Sequence, residues 1–352
     1  MITKYRKVDP LYPNIMILKE AAETIRDGGL VAFPTETVYG LGADGFNEDA
    51  LEKIFIAKGR PMDNPLILHV ASTKDVMDIA SYVSAKAKKA INAFCPGPLT
   101  LVLPKNPQVP YEATAGLPTV AVRIPSHPIA LKLIKLARVP VAAPSANLSG
   151  RPSTTTGFHV LKDLKGKIEM IVDGGPSRWG IESSVVDFTG DTPTILRPGA
   201  ITKEMLESVV GQVHYDPGLS DNRIAPKSPG VKYIHYAPRG DMYLVQGDDP
   251  TMVASKLNEL VKKYKSNGNR VALIATDEIL KIIDSKQPDY KASLGSKHEQ
   301  ELIASRIYHL LRNCDKFNMD VILTEGLSEK GLGVAIMNRL LKASGNRVIK
   351  AE

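Results

Sequence analysis

The sequence contains 352 residues, 43% of them hydrophobic and 24% charged, with a formal net charge of +7. At roughly 100–200 residues per domain, this length predicts two domains, each large enough to bury a hydrophobic core without disulfides. The two distant cysteines, Cys95 and Cys314, exclude a disulfide framework and a cysteine-based zinc cluster, and they favour a reducing, cytosolic compartment.

Helical and strand patterns alternate through residues 1–210, which we predict to be the first domain. Residues 18–25 place apolar side chains on one helical face, and residues 30–34 predict a short buried strand that is followed by a loop at residues 35–42. Further helices are predicted at residues 51–57, 80–93 and 129–136, and further strands at residues 66–70, 99–103, 120–124, 139–142, 170–172, 185–188 and 194–196. This mixture predicts an α/β domain with a sheet of six or more strands.

A different order follows in the last third of the chain. Residues 211–240 contain several Pro-Gly and Ala-Pro pairs but no Gly/Ser repeat, which predicts an ordered linker. Predicted strands at residues 242–245, 271–275 and 321–324 then alternate with predicted helices at residues 253–264, 303–311 and 334–343. This order predicts a second domain at residues 241–352 with a small parallel sheet and right-handed crossovers.

Motif searches disfavour several common classes of enzyme. The sequence has no P-loop, no HExxH zinc motif and no GxSxG nucleophile elbow. The GxG at residues 331–333 is explained more simply as a tight turn that begins a helix. The N-terminal residues have no apolar run, and no stretch approaches the roughly 18 apolar residues of a membrane span, so we expect neither a signal peptide nor a membrane contact. The evenly spread positive charge suits a phosphate-bearing ligand or a weak nucleic-acid contact.

Polar side chains collect where predicted strands meet loops, which is where open α/β sheets bind ligands. Thr35 directly follows a buried strand, where its hydroxyl can orient a ligand or cap a turn. Lys58 and Arg60 flank a glycine and suit an anion, although the end of a helix also favours cations. His69 lies in an apolar strand, where a hydrogen-bonded core histidine is the more common outcome.

Strand alternation places Ala121 and Arg123 on one face, which predicts either a pocket wall or a solvated sheet face. Further polar residues at predicted strand ends are Ser145, Asn147, Ser183 and Arg197. No nucleophile or metal cage stands out among these residues. The set suits an anionic ligand, and positioning with charge stabilisation is what phosphoryl or nucleotidyl transfer needs.

Five motifs occur in order at residues 34–42 (PTETVYGLG), 58–61 (KGRP) with 64–66 (NPL), 96–100 (PGPLT), 143–150 (APSANLSG) and 196–199 (LRPG). Together they resemble the YrdC-like family of L-threonylcarbamoyladenylate synthases over residues 15–205. Residues 228–230, 235–238 and 331–340 are similar to the longer, two-domain form of that family. The resemblance implies a twisted, open, mixed α/β sheet followed by a smaller Rossmann-like parallel α/β domain. One departure is Ser183-Ser184, where the family more often has Ser-Thr.

The resemblance also implies a reaction in which L-threonine, bicarbonate or carbon dioxide, and ATP give threonylcarbamoyl-AMP and pyrophosphate. Another enzyme system then transfers the threonylcarbamoyl group to tRNA. By the same resemblance, the residues that hold threonine are Thr35, His69, Arg123 and Ser183. Those that hold the nucleotide and its phosphates are Lys58, Arg60, Ser145, Asn147 and Arg197, with Thr119 and Ser153 as further candidates. Mg²⁺ is expected to accompany ATP through its phosphates rather than in a protein cage.

Several points stay open at this stage. The sequence assigns no catalytic base, and Glu36 and His69 are the nearest candidates. We expect residues 228–238 to fold over the first-domain cleft as a lid, with Tyr236 against the nucleotide. An RNA-binding module with a concave basic face is the alternative function, although the charge is not clustered for it. A carbamoyl-transfer domain of the hydrogenase-maturation kind usually has a zinc region, which two distant cysteines do not provide.

Overall fold

The computed structural model describes residues 1–219, 236–283 and 288–352. The chain forms two compact units. The first consists of Met1–Ser149, Ser153–Arg178 and Glu182–Tyr233, and the second of Gly150–Pro152, Trp179–Ile181 and Ile234–Glu352. Two three-residue segments therefore belong to the second unit although their chain neighbours belong to the first. Among the described residues, no helix has both the length and the apolar character that a membrane crossing requires.

A mixed sheet of eleven strands runs through the described part of the first unit. Its strands are β1 (Lys4–Lys7), β2 (Val31–Phe33), β3 (Gly40–Asp44), β4 (Ile67–His69), β5 (Leu99–Pro104), β6 (Thr119–Arg123), β7 (Val141–Ala142), β8 (Met170–Asp173), β9 (Ser184–Asp187), β10 (Thr194–Arg197) and β11 (His214–Tyr215). They pair in the order β1-β8-β2-β3-β7-β4-β6-β5-β9-β10-β11. The predicted mixed α/β sheet is confirmed.

Strand β3 corrects the prediction of a loop at residues 35–42. Glycine is depleted in strands, so Gly40 and Gly42 indicated a loop. In the structure they pair antiparallel with β2. A Cβ on Gly42 would lie 2.7 Å from the Phe33 ring and 2.8 Å from Val141. The glycine is therefore required by the close packing of large side chains against this strand.

Side-chain caps set the beginnings of most helices in the first unit. The helices are α1 (Ile15–Arg26), α2 (Glu48–Lys58), α3 (Thr73–Ile79), α4 (Ala85–Phe94), α5 (Tyr111–Thr114), α6 (Pro128–Ala137), α7 (Gly157–Leu164) and α8 (Lys203–Val210). The helix predicted at residues 80–93 is confirmed from Ala85 onward as α4, whereas residues 80–84 are not helical and α3 was not predicted. Ser72 and Ser84 each accept a hydrogen bond from a backbone N–H three residues on, which begins α3 and α4 separately. Between the two helices, Ala80 bridges to Lys105.

The two faces of the large sheet are covered differently. On one face, Leu68, Leu101 and Val122 pack with helices into the main core. On the other face, α1 and α6 pack over β2, β7 and β8. Further along this second face lies a separate apolar cluster, which consists of Ile67, Val102, Ala121, Val185 and Leu196. No helix described here contributes to that cluster, so this stretch of the sheet can receive a ligand.

The second unit contains an all-parallel sheet. Its strands are β12 (Asp241–Gln246), β13 (Val271–Ala275), β14 (Tyr290–Ser293), β15 (Val321–Glu325) and β16 (Val348–Lys350), and its helices are α9 (Pro250–Ser266), α10 (Asp277–Ile282), α11 (Gln300–Lys316) and α12 (Gly333–Ala343). The strand order is β14-β13-β15-β12-β16 and every neighbouring pair is parallel. The predicted small parallel α/β domain is confirmed. Both edge strands were missed because neither contains a fully buried residue that would give an apolar run.

The region predicted as a linker begins inside the first unit. Strand β11 pairs with β10, and a 3₁₀ turn at Pro217–Leu219 follows it. Residues 220–235, with most of the predicted lid at 228–238, lie outside the described residues.

Candidate active site

Three polar side chains stand in line across the open stretch of the large sheet. His69 on β4 is the register partner of Arg123 on β6. Arg123 is in turn the partner of Thr100 on β5. Paired residues on neighbouring strands point to the same face. Ile67, Ala121 and Val102 of the apolar cluster lie two residues along β4, β6 and β5 from this line, so the polar row stands beside an apolar floor.

A β-bulge adds Arg197 to the same face. Ile195 pairs with Val186 and packs in the main core. The register then shifts, so Arg197 lies opposite Val185, which pairs with Thr100. Without the extra residue, alternation would direct Arg197 and Ile195 to the same, helix-covered face. The bulge thus brings a second arginine side chain, after that of Arg123, to the row.

Arg123 is the centre of a buried hydrogen-bond cluster. Its Nη2 lies 2.7 Å from Glu36 Oε1 in an ion pair, and its Nη1 donates to Thr37 Oγ1 at 2.9 Å. Its Nε donates to the carbonyl of Gly97. The Thr37 hydroxyl is also 2.8 Å from that of Thr35. Arg123 is only 4% exposed. Of the two alternatives that strand alternation left open, the solvated sheet face is therefore wrong, and the pocket wall agrees with this burial.

Both candidate bases hold fixed charge states at neutral pH. Burial alone would raise the pKa of Glu36, but the charge and hydrogen bond of Arg123 outweigh it and lower that pKa. Burial, with the nearby Arg123 charge, lowers the pKa of His69 to about 3. The His69 Nδ1 lies 3.1 Å from the Ile67 carbonyl oxygen, which can only accept, so this nitrogen carries the proton. Glu36 is therefore a carboxylate and His69 a neutral imidazole.

A second cluster surrounds Ser183, at the start of β9. Its hydroxyl lies 2.8 Å from that of Thr100. Arg197 donates from Nη2 to the same hydroxyl at 3.1 Å and from Nε to the Ser183 carbonyl at 3.0 Å. Glu182, which directly precedes Ser183, accepts a hydrogen bond from the Ser153 hydroxyl at 2.5 Å. Ser183 and Arg197, which were assigned to different substrates, are thus joined directly.

Ser184 stands where the family more often has threonine, and its hydroxyl makes two buried hydrogen bonds. Its hydroxyl donates to the carbonyl of Ile201 at 2.7 Å and accepts from the same residue's backbone N–H at 3.0 Å. These bonds tie β9 to the segment that follows Arg197. A serine supplies them as well as a threonine would.

Lys58 and Arg60 organise the loops around them. The Lys58 ammonium is buried and donates to the backbone carbonyls of Ser145 and Asn147. Arg60 donates to the carbonyls at residues 64 and 65. Gly59, between them, has a φ of 61° and ends α2, a conformation that glycine adopts without strain. The two predicted phosphate-binding cations therefore also fix two predicted binding segments.

The other predicted residues take up different positions. Thr119 begins β6 on the strand face of Ala121 and Arg123. Tyr236 belongs to the second unit, where its ring centroid lies 5.3 Å from that of Tyr308. It is buried and has a positive φ of 67°. Its contact with a nucleotide stays a prediction.

Sequence reasoning missed the roles of Thr37, Thr100 and Glu182. The first two lie inside motifs that were noticed, Thr37 two residues after Thr35 and Thr100 at the end of residues 96–100. Glu182 directly precedes the serine pair. Their partners are 29 to 86 residues away in the chain, so only the folded register identifies them.

The part of the chain that the structure describes contains no group of three His, Cys, Asp or Glu side chains arranged to hold a metal ion.

Comparisons with known proteins identify the family of this chain. Residues 23–199 match the protein family described as "Telomere recombination", and residues 201–345 match "Threonylcarbamoyl-AMP synthase, C-terminal domain". The threonylcarbamoyl-AMP synthase of Bacillus subtilis is 46% identical over 97% of both chains, and that of Pyrococcus abyssi is 48% identical over 95% of both. A crystal structure of P. abyssi Sua5 complexed with L-threonine aligns with a TM-score of 0.92 at 46% identity, covering 100% of both chains. The chain therefore belongs to the threonylcarbamoyl-AMP synthase family, in its two-domain form.

Proposed function

We propose that this chain is an enzyme that makes L-threonylcarbamoyl-AMP from L-threonine, bicarbonate or carbon dioxide, and ATP, with release of pyrophosphate. The observation that carries the proposal is the buried row of His69, Arg123 and Thr100 in a chain 46% identical to a curated synthase over 97% of its length. The product would supply a separate system that modifies tRNA. Two free cysteines, Cys95 and Cys314, favour a cytosolic enzyme.

The reaction has two bond-forming steps. The neutral amine of threonine bonds to the carbon of carbon dioxide and loses a proton to solvent, which gives a carbamate. A carbamate oxygen then bonds to the α-phosphorus of ATP, while the bond to the bridging α–β oxygen breaks and its electrons leave with pyrophosphate. The carbamate is labile in water, so the site must exclude water and hold three reactants in line.

Threonine fits the Arg123 cluster. In the described residues, three of the five guanidinium N–H groups donate within the protein, which leaves two for a carboxylate. Glu36 Oε2 is buried and has no hydrogen-bond partner among those residues, so it can accept from an amine or a hydroxyl. Thr35, His69 and Ser183 complete a small polar pocket.

Carbamate formation would proceed without a dedicated base among these side chains. General bases work best with a pKa near the working pH. The pKa values of Glu36 and His69 are both held below that range. Orientation of threonine and exclusion of water are then the main contributions of the site.

The nucleotide would lie along the cationic loops. Lys58, Arg60 and Arg197 surround the developing charge, and Ser145, Asn147 and Ser153 offer polar groups from neighbouring loops, with Thr119 on β6. Tyr236 is a further candidate contact. Mg²⁺ would accompany ATP and neutralise part of the triphosphate charge.

The test is pyrophosphate release by the purified full chain. Release is expected only when L-threonine, bicarbonate, ATP and Mg²⁺ are all present, and each is omitted in turn. Arg123→Met is expected to reduce kcat/KM for threonine at least a hundredfold. Lys88→Met is the matched control, since Lys88 is exposed on α4, which packs on the opposite face.

Two results would contradict the proposal. The first is release of pyrophosphate that does not depend on threonine. The second is no release under any condition from folded protein, together with tight, salt-sensitive tRNA binding, which would favour an RNA-binding module.

A further inference from the structure

The second unit contains a cavity of about 420 Å³ that no residue of the candidate active site lines. It is bounded by the loop after β14, which carries Lys297 and His298, and by Glu325 at the end of β15. Ile303 of α11 and Ile336 of α12 form its apolar side. This volume lies in the range of small-molecule sites.

The cavity lies at the point of the sheet where ligands bind in parallel α/β folds. β13 and β15 are neighbours. The chain leaves β13 toward β14 at one edge, and it leaves β15 toward β16 at the other edge. Such a reversal opens a crevice at the carboxyl ends of the two strands. Glu325 ends β15, and the backbone N–H of Thr276, just after β13, donates to its Oε1 at 2.6 Å.

Glu325 lines the cavity with a carboxylate that suits hydroxyl donors, and Thr324 precedes it on β15. Glu325 is only 8% exposed, and burial raises its pKa. Thr324 is 1% exposed, and its hydroxyl has no hydrogen-bond partner in the described residues. Leu323 packs with α9 and α10, so alternation places Thr324 on the opposite face of the sheet.

The rim holds groups that suit an anion. Lys297 is exposed, and its loop is fixed because Glu278 accepts from the Ser296 hydroxyl and from the Lys297 backbone N–H. The 17-residue helix α11 begins at Gln300 with no side-chain cap on its first turn. The N–H groups of an uncapped first turn attract negative charge.

We propose that this cavity binds a nucleoside monophosphate. The ribose hydroxyls donate to Glu325, and the phosphate lies against Lys297 and the first turn of α11. The base occupies the apolar side formed by Ile303 and Ile336.

Methyl NMR of the full chain tests the proposal at this site alone. The protein is labelled at isoleucine δ1 methyls, and Ile303 and Ile336 are assigned through their valine variants. Titration with AMP is expected to shift both signals with saturation. Adenosine, ribose 5-phosphate and inorganic phosphate are each expected to bind at least tenfold more weakly, because adenosine lacks the phosphate contact, ribose 5-phosphate lacks the base contact, and inorganic phosphate lacks both the ribose and the base contacts.

Variants connect the shifts to the proposed contacts. Glu325→Gln keeps the acceptor for Thr276 and is expected to weaken AMP binding about tenfold. Lys297→Met, at an exposed position, serves if the first variant does not fold. Lys316→Met, at the other end of α11, is the control and should bind AMP as the parent does.

The absence of shifts at both isoleucines at millimolar AMP would overturn the proposal, as would equal AMP binding by the parent, Glu325→Gln and Lys297→Met. Equal affinity for inorganic phosphate and AMP would overturn the assignment to a nucleotide. Pyrophosphate release measured on the same preparations keeps this result separate from the proposed synthase activity.

Discussion

Replacing Arg123 with methionine tests whether a buried ion pair holds the candidate active site together. Arg123 and Glu36 are 87 residues apart, and their side chains are 5% and 7% exposed with a separation of 2.7 Å. Methionine fills a similar volume without the charge. Glu36 then remains as a buried carboxylate with no cation beside it.

The expected loss is large because one charge is left uncompensated. Breaking a buried pair from one side costs about 3–5 kcal/mol of unfolding free energy. Thr37 and Gly97 also lose a donor. By contrast, a double variant with Glu36→Gln removes both charges. It should lose only about 1–2 kcal/mol, because neutral replacement of a whole pair is often tolerated.

The pH dependence has a definite sign. In the parent, the pKa of Glu36 is lowered, so the pair stabilises the fold above the ordinary carboxyl pKa and this stability is lost as the pH falls. In Arg123→Met, burial raises the pKa of Glu36, so protonation relieves the variant at lower pH. The difference between parent and variant should therefore be smaller at pH 5 than at pH 7.

Hydrogen exchange of the β6 amides in the full chain measures the effect, because it reports the opening free energy of the first unit within the intact protein. The four proteins of the double-mutant cycle are compared at pH 7 and pH 5. A loss below 1 kcal/mol in Arg123→Met would refute the reasoning. So would a double variant that is no more stable than the worse single variant.

Three other predictions concern stability and site geometry. His69 has a folded pKa of about 3 against 6.5 when unfolded, so its contribution to the unfolding free energy is complete above pH 6.5 and falls by about 1.4 kcal/mol per pH unit below it. In urea unfolding from pH 7 to 4, the unfolding free energy of His69→Asn should therefore change less steeply with pH than that of the parent. Equal slopes would contradict this. Gly199→Ala would place a Cβ 2.3 Å from the Ser184 backbone nitrogen, which should raise KM for threonine and cost at least about 2 kcal/mol. Gly190→Ala, with nothing within 4 Å, is its control, and equal effects of the two would count against the steric argument. Asp315, in the second unit, accepts from an arginine side chain and a backbone N–H at 2.6 Å each, so Asp315→Ala should lose about 2–3 kcal/mol in thermal unfolding; an unchanged melting temperature would disprove it.

The sequence was informative where local periodicity and burial agree. Alternation alone separated Arg123 from Val122, and the structure places them on opposite faces of β6. The parallel order of the second unit also followed from its alternating helices and strands. In both cases the signal is a repeat over neighbouring residues, which one sequence contains completely.

Other parts of the site depend on contacts that local patterns do not contain. The Arg197 side chain reaches the site face only through a bulge in β10. Thr100 is one hydroxyl in an apolar strand until the register sets it between Arg123 and Ser183. Gly42 indicated a loop because the local sequence does not show what requires glycine there, which is the close approach of the Phe33 ring from the paired strand β2. Each of these is a tertiary effect that overrides a local preference.

The ionisable groups of the candidate active site suggest how it would act. Glu36 is held as a carboxylate and His69 as a neutral imidazole beside the Arg123 guanidinium, so neither Glu36 nor His69 changes charge near pH 7. A site of this kind offers constant electrostatics and fixed positions rather than proton transfer. That suits an unstable carbamate, because a side chain able to donate a proton there would promote its decomposition. The proposed reaction should then depend on pH mainly through the amine of threonine and the supply of carbon dioxide.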